Sequence, residues 1–263
     1  MNQNILDKII AKKKARIEEQ KKSVTEAMLY TELQIHDTNE TFYRSITNPN
    51  SGDISVIAEI KAASPSAGTF CSEDELIPQA ELYREAGVEA ISYVTERDYF
   101  GGNPELLQEI MTASELPLLQ KDFVIDTYQI IEAAIRSVDA LLLIARLVEK
   151  KTLKAFVDLC ILNSIEPVVE VYDVSDLEKL EGLPVRIVGV NARNLTDFSI
   201  DIQQAATLIE SLHKSFTVIG FSGVRSRTDV EVYRQAGARA VLVGETLMRA
   251  EDLRLTVQNL KGI

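Results

Sequence analysis

Eight short apolar runs, rich in β-branched residues, recur along the chain at roughly 20–35-residue intervals. They are ISVIAEIK from Ile54, AISYVT from Ala90, LPLLQK from Leu116, ALLLIA from Ala140, EPVVEV from Glu166, IVGVNAR from Ile187, FTVIGFSG from Phe216 and AVLVGE from Ala240. Runs that are apolar throughout suit strands buried on both faces, which implies a parallel sheet covered by helices. Between them lie segments of helical pattern: SEDELIPQAELYREAG, NPELLQEIMTAS, DTYQIIEAAIRS, EKKTLKAFVDLCILNS, VSDLEKLEG, DIQQAATLIESLHKS and RTDVEVYRQAG. Several open on a Ser, Asp or Asn suited to capping, and two end in Ala-Gly. Eight such units in one chain of this length predict an α/β fold, a closed (β/α)8 TIM barrel.

The first 50 residues or so precede the barrel. Ile5, Ile9, Ile10 and Ile17 fall roughly on one helical face, with Lys12, Lys13, Lys14 and Arg16 among the rest. This predicts an extra helix packed against a barrel mouth, the alternative being plain packing with a solvated basic face. The stretch HDTNETFYRSITNPNSGD reads as a loop and turn. The organisation expected is an N-terminal helical extension over 1–50 and a barrel catalytic domain over 51–263.

Composition narrows the function. The 263 residues are 46% hydrophobic, enough for one large core, and no apolar stretch approaches the ~20 residues of a membrane span. The N-terminus carries charges throughout and lacks a signal-peptide core. Cys71 and Cys160 stand apart from each other and from both histidines, so neither a disulfide framework nor a metal site is expected. A cytoplasmic location fits best. The net charge of -12 argues against nucleic-acid and anionic-membrane partners. It also means that a phosphorylated substrate would need a local positive site.

The strand ends supply candidates. Side chains alternate along a strand, so Glu59 and Lys61 point to one side and form an acid–base pair if they face the mouth. Unpaired charges ending an apolar strand are costly to bury, which favours a chemical role, with a structural ion pair as the alternative. Lys121 ends the third run and Glu170 the fifth; a lysine there can donate a proton, clamp an anion or form a Schiff base, and a carboxylate can act as a base. Asn191 and Arg193 share a side and could hold a hydroxyl and a carboxylate; the alternative for Arg193 is a surface ion pair with Asp197 or another acid. Ser222-Gly223 and Gly244-Glu245 follow runs seven and eight, where such barrels bind phosphate, and GETLMRAEDL fits the accompanying short helix. His36 and His213 lie away from strand ends and receive no role. The pattern points to a metal-free, cofactor-free enzyme acting on a phosphorylated small molecule.

Taken together, AEIKAASPS, TERDYFGG, QKDFVIDTYQI, ALLLIARL, PVVEVYD, GVNARNL, GFSGV and VLVGETLMR closely resemble the indole-3-glycerol phosphate synthase family of tryptophan biosynthesis. The resemblance runs in order from about Ile54 to Asp252, and its most specific parts are E-x-K-x-x-S-P-S, K-D-F and G-x-N-x-R. It implies a carboxy-lyase that turns 1-(2-carboxyphenylamino)-1-deoxyribulose 5-phosphate into indole-3-glycerol phosphate with loss of carbon dioxide and water. It also implies Lys121 or Lys61 as the acid, Glu170 as the catalytic glutamate, and Glu59 and Asn191 as orienting groups. Ser64 and Arg193 would contact substrate, Phe100, Phe123, Leu142, Ile144 and Leu195 would wall the anthranilate pocket, and Ser222, Gly223, Gly244 and Glu245 would hold phosphate. The expected working form is a monomer, with association with other enzymes of the pathway left open.

The chain departs from the family at two places. The family usually reads E-S-G after strand seven, whereas Phe221-Ser222-Gly223 stands here; with that carboxylate missing, nearby lysines are expected to titrate lower. Ala67 stands where many members carry lysine. Phe221 supports an alternative, a phosphate-ligand-binding paralogue with weak or lost catalysis. Two other barrel enzymes fit less well: phosphoribosylanthranilate isomerase would want a cysteine at a strand end, and a Schiff-base aldolase would leave the Glu59–Lys61 pair unexplained.

Overall fold

The structure, a computed structural model, describes residues 5–33, 40–194, 196 and 198–263. Each predicted run contains one strand: β1 (Ser55–Ile60), β2 (Ala90–Val94), β3 (Leu118–Lys121), β4 (Ala140–Ile144), β5 (Glu166–Val171), β6 (Ile187–Asn191), β7 (Thr217–Phe221) and β8 (Ala240–Val243). All pair in parallel in chain order, and β8 pairs back to β1 to close the barrel. The period of two then sorts each strand. Val56, Ala58 and Ile60 join the layer beneath the helices, whereas Ile57, Leu119, Leu142, Val168, Ile187 and Ile219 fill the barrel interior. Burial on both sides is why these runs lack polar alternation until their last residues.

Helices lie between consecutive strands, and their caps are local. Asp126, Asp201 and Asp252 each accept a backbone N–H in the first turn of the helix that follows. Between β5 and β6 the expected helix shrinks to one turn, Val174–Leu177. Among the described residues no helix is long and apolar enough to cross a membrane.

Among the described residues three helices precede β1: α1 (Ile5–Ser23), α2 (Glu26–Glu32) and α3 (Thr41–Thr47). On α1, Ile9 and Ile17 are buried as expected, but Lys13 lies on the same buried face instead of the solvated one. The reason is a partner: Lys13 Nζ sits 2.6 Å from Asp122 Oδ1 beside the end of β3. The segment expected to be a loop contains α3, whose Phe42 and Ile46 are buried in the interior cluster. Ser55 Oγ donates to Ser45 O and Thr41 Oγ1 to Asp139 Oδ1, docking α3 at the end where the strands begin. An i, i+4 apolar pair in a seven-residue helix is too short a period to read, and burial under the barrel supplies the stability. At the same end Lys261, fully buried on the last helix, pairs with Glu89 at 2.5 Å.

Candidate active site

The strand ends opposite α3 enclose a cavity of about 350 Å³. It is lined by every residue nominated from the sequence except Leu195, which lies outside the described residues, as does His36. His213 is exposed just beyond the helix Ile202–Leu212.

Glu59 is the centre of the charge network. It is buried, one carboxylate oxygen pairs with Lys61, and the other lies 3.3 Å from Lys121 Nζ. Lys61 shares its strand line, but Lys121 reaches over from β3, two strands away around the barrel. Burial works to raise the Glu59 pKa; the two ammonium groups overcome it and hold the carboxyl at about 2. Burial likewise works to lower Lys121, and the carboxylates of Glu59 and Glu170 outweigh it, so this lysine titrates above its ordinary value. Two carboxylates, Glu59 and Glu170, thus act on Lys121 although position 221 carries none.

Glu170 has the opposite character. It is buried at the end of β5, and burial raises its pKa against the opposing pull of Lys121 and of Asn191. Asn191 Nδ2 donates to Glu170 Oε1 at 3.1 Å, and Asn191 Oδ1 accepts the Arg193 backbone N–H at 3.0 Å. The amide orientation is thus set from both ends. The surroundings thus push these two carboxyls apart, Glu59 below and Glu170 above the ordinary range.

One side of the cavity is apolar. Phe100 and Phe123 face each other with centroids 6.1 Å apart, continued by buried Leu142 and Ile144. Val94, Phe198, Ile200 and Leu242 also line the cavity and were not nominated. Val94 and Leu242 were legible by alternation, since Leu242 shares a side with Gly244; Phe198 and Ile200 come from a loop that carries no such signal. The ring of Phe221 is buried, and a Cβ on Gly189 would stand 2.4 Å from its Cε2 and Cζ.

The opposite side is built from the ends of β7 and β8. Ser222 and Gly223 both adopt positive φ, 67° and 81°, and Tyr233 Oη donates to the carbonyls of Phe221 and Ser222. A left-handed serine is a strained residue held by its surroundings, a pattern found at functional sites. A Cβ on Gly244 would come within 2.5 Å of Glu59 Oε1 and 2.6 Å of Lys61 Nζ, so a side chain there would displace that pair.

α1 supports the mouth from outside. Asp122 stands between Lys121 and Phe123, accepts the Thr95 hydroxyl at 2.8 Å and receives Lys13 at 2.6 Å. The extension is thereby tied to the segment that carries one lysine and one aromatic of the cavity. Among the described residues no cluster of three or more His, Cys, Asp or Glu side chains could hold a metal ion.

Comparison with known proteins agrees with the order of motifs and the barrel fold. Residues 6–260 match the family model for indole-3-glycerol phosphate synthase. The chain belongs to the indole-3-glycerol phosphate synthase family. It is 36% identical over 260 residues to the indole-3-glycerol phosphate synthase of Ruminiclostridium cellulolyticum, covering 98% of this chain and 99% of that one. The synthase of Acetivibrio thermocellus is 34% identical over 262 residues, with 98% and 100% covered. The synthase of Neisseria meningitidis serogroup B is 35% identical over 258 residues, with 98% and 99% covered. This synthase family is one of carboxy-lyases in tryptophan biosynthesis. Among solved structures, a 3-hexulose-6-phosphate synthase superposes with a TM-score of 0.60 at 14% identity, covering 80% of this chain and 99% of that one. An N-acetylmannosamine-6-phosphate 2-epimerase from Clostridium perfringens gives 0.58 at 15% identity, with 73% and 86% covered. At such identities the likeness is one of fold alone, the (β/α)8 barrel.

Proposed function

We propose that this chain carries out the reaction of its family. It would convert 1-(2-carboxyphenylamino)-1-deoxyribulose 5-phosphate into indole-3-glycerol phosphate, carbon dioxide and water. The observation that supports this most directly is the sharing of buried Glu59 by Lys61 and Lys121 beside the Glu170–Asn191 pair.

Ring closure joins the aromatic carbon bearing the carboxylate to the ketone carbon, while the ketone oxygen takes a proton. An ammonium that stays charged at neutral pH is the acid this step needs, and Lys121, on the segment running directly into Phe123, serves as that acid. Lys61 grips the substrate carboxylate, and the two lysines could exchange these roles. The bond to the carboxylate then breaks, and its electron pair neutralises the iminium left by the attack. The wall of Phe100, Phe123, Leu142 and Ile144, with Leu195 from the sequence reading, favours loss of a charged group there. The new hydroxyl leaves as water with a proton from a lysine, and Glu170 takes a proton from the neighbouring methylene. Asn191 and Glu59 orient these groups. Ser64 and Arg193 contact substrate, and the backbone at Ser222-Gly223 and Gly244-Glu245 holds the phosphate, with the Ser222 hydroxyl assisting.

On this reading residues 1–50 are an extension that braces the barrel, and residues 51–263 are the catalytic domain. The enzyme works in the cytoplasm as a monomer, uses no cofactor and has no nucleic-acid or membrane partner.

The test is the appearance of indole fluorescence when purified protein meets the substrate, against a low background because the chain contains no tryptophan. Turnover is expected, with Lys121→Met reduced by roughly 10²–10⁴-fold, the span of a lost general acid. Phe221 favours a second reading, a binding paralogue of the family. Its mark would be an inactive wild type together with turnover gained in Phe221→Glu.

A further inference from the structure

After Lys61 the chain folds back on itself: Ala63 pairs with Thr69 and Ser64 with Gly68 in a short antiparallel ladder. Continuing that ladder by one pair brings Phe70 opposite Ala62, and Phe70 N–H donates to Ala62 O at 2.7 Å. The ring thereby returns beside Lys61, whose Nζ lies 5.3 Å from its centroid. A second cation, Arg249, just beyond the turn Glu245–Met248 that follows β8, places its Cζ 4.9 Å from the same centroid. Among the described residues each cation also has a carboxylate partner: Glu59 for Lys61, and Glu245 for Arg249 at 3.1 Å. Lys61 and Arg249 both line the cavity. Two like charges at one rim repel and, on flexible side chains, sample many rotamers; an aromatic face attractive to both reduces that freedom.

We propose that Phe70 is a positioning residue of this site, its ring fixing Lys61 and Arg249 where an anionic substrate enters. The proposal rests on the synthase reading for the anion that enters. Phe70→Leu keeps an apolar side chain without a π face, and Phe70→Tyr keeps the face. Kinetics with the substrate are measured beside the Kd for its carbonyl-reduced alcohol, which cannot cyclise. Phe70→Leu is expected to raise KM and Kd about tenfold, within the roughly 2- to 30-fold span of a cation–π contact, while kcat changes less than about threefold. Phe70→Tyr is expected to stay within about twofold in both, a fraction of that contact.

The proposal falls if Phe70→Leu binds the alcohol as the wild type does, or if Phe70→Tyr is weakened as much as Phe70→Leu. A wild type that binds the alcohol without turning over substrate would sink the synthase reading alone, and the Kd comparison would still decide the role of Phe70. A wild type that does not bind the alcohol overturns both.

Discussion

The ring of Phe221 occupies the space that a side chain on Gly189 would need, with 2.4 Å between two ring carbons and the position of a Cβ. The two residues sit on adjacent strands, β7 and β6, inside the barrel. Gly189 is also the partner in register of Glu170 on β5. Gly189→Ala should overpack this point and cost about 2 kcal/mol, with part recovered when Phe221→Leu is added. Thermal unfolding of the three proteins checks this, and a single mutant that melts with the wild type would refute the contact.

Glu59 makes acid stability readable. Its folded-state pKa of about 2 lies below the unfolded value near 4.5, so its contribution is complete above the unfolded value and is lost as pH falls toward 2. The loss is on the order of 3 kcal/mol, discounted by whatever coupling the unfolded chain retains. Chemical denaturation at pH 7 and near pH 3 should show a smaller acid-side loss for Glu59→Gln than for the wild type.

Glu170 titrates in the other sense. Burial raises its folded pKa, so its contribution is most favourable at low pH and turns costly as pH rises through the folded value. Glu170→Gln, which keeps an acceptor for Asn191, should melt a few degrees above the wild type at pH 7, with the gain shrinking toward pH 4. Turnover in the same variant should fall by about 10² or more, as expected of a lost general base. Equal melting curves across pH would contradict the burial argument.

Lys13 connects the extension to the chemistry. Its ammonium neutralises Asp122, which is 9% exposed and flanked by Lys121 and Phe123. Lys13→Met strands that carboxylate and is expected to cost about 3 kcal/mol. Asp122 should then shift toward solvent, carry Lys121 with it and lower kcat about tenfold, the scale of a small misplacement. If kcat is unchanged in the fully folded variant, α1 braces the barrel without influencing the site.

The barrel was legible because burial on both faces forces a strand to be apolar over its whole length, and that leaves a mark without any partner being known. Alternation placed Glu59 with Lys61 on one side, and the chain order of the strand ends located Lys121, Glu170, Asn191 and the two glycine pairs. Local capping residues such as Asp126 and Asp201 announced helices for the same reason, since a first-turn hydrogen bond needs only neighbouring residues. What stayed hidden depends on distant parts of the chain. α3 is a helix only because Phe42 and Ile46 fit under the barrel, and Lys13 turns inward only because Asp122, more than a hundred residues later, receives it. Lys121 reaches Glu59 across an intervening strand, and Phe70 meets Arg249 only after the barrel has closed β8 onto β1. Sequence by itself determined the strands, their order and the side on which each charged end lies, because those follow from periodicity and burial along a single segment. Tertiary structure alone decided which charges share a partner and where their pKa values settle, because Coulomb and desolvation energies depend on distances that only the closed barrel sets.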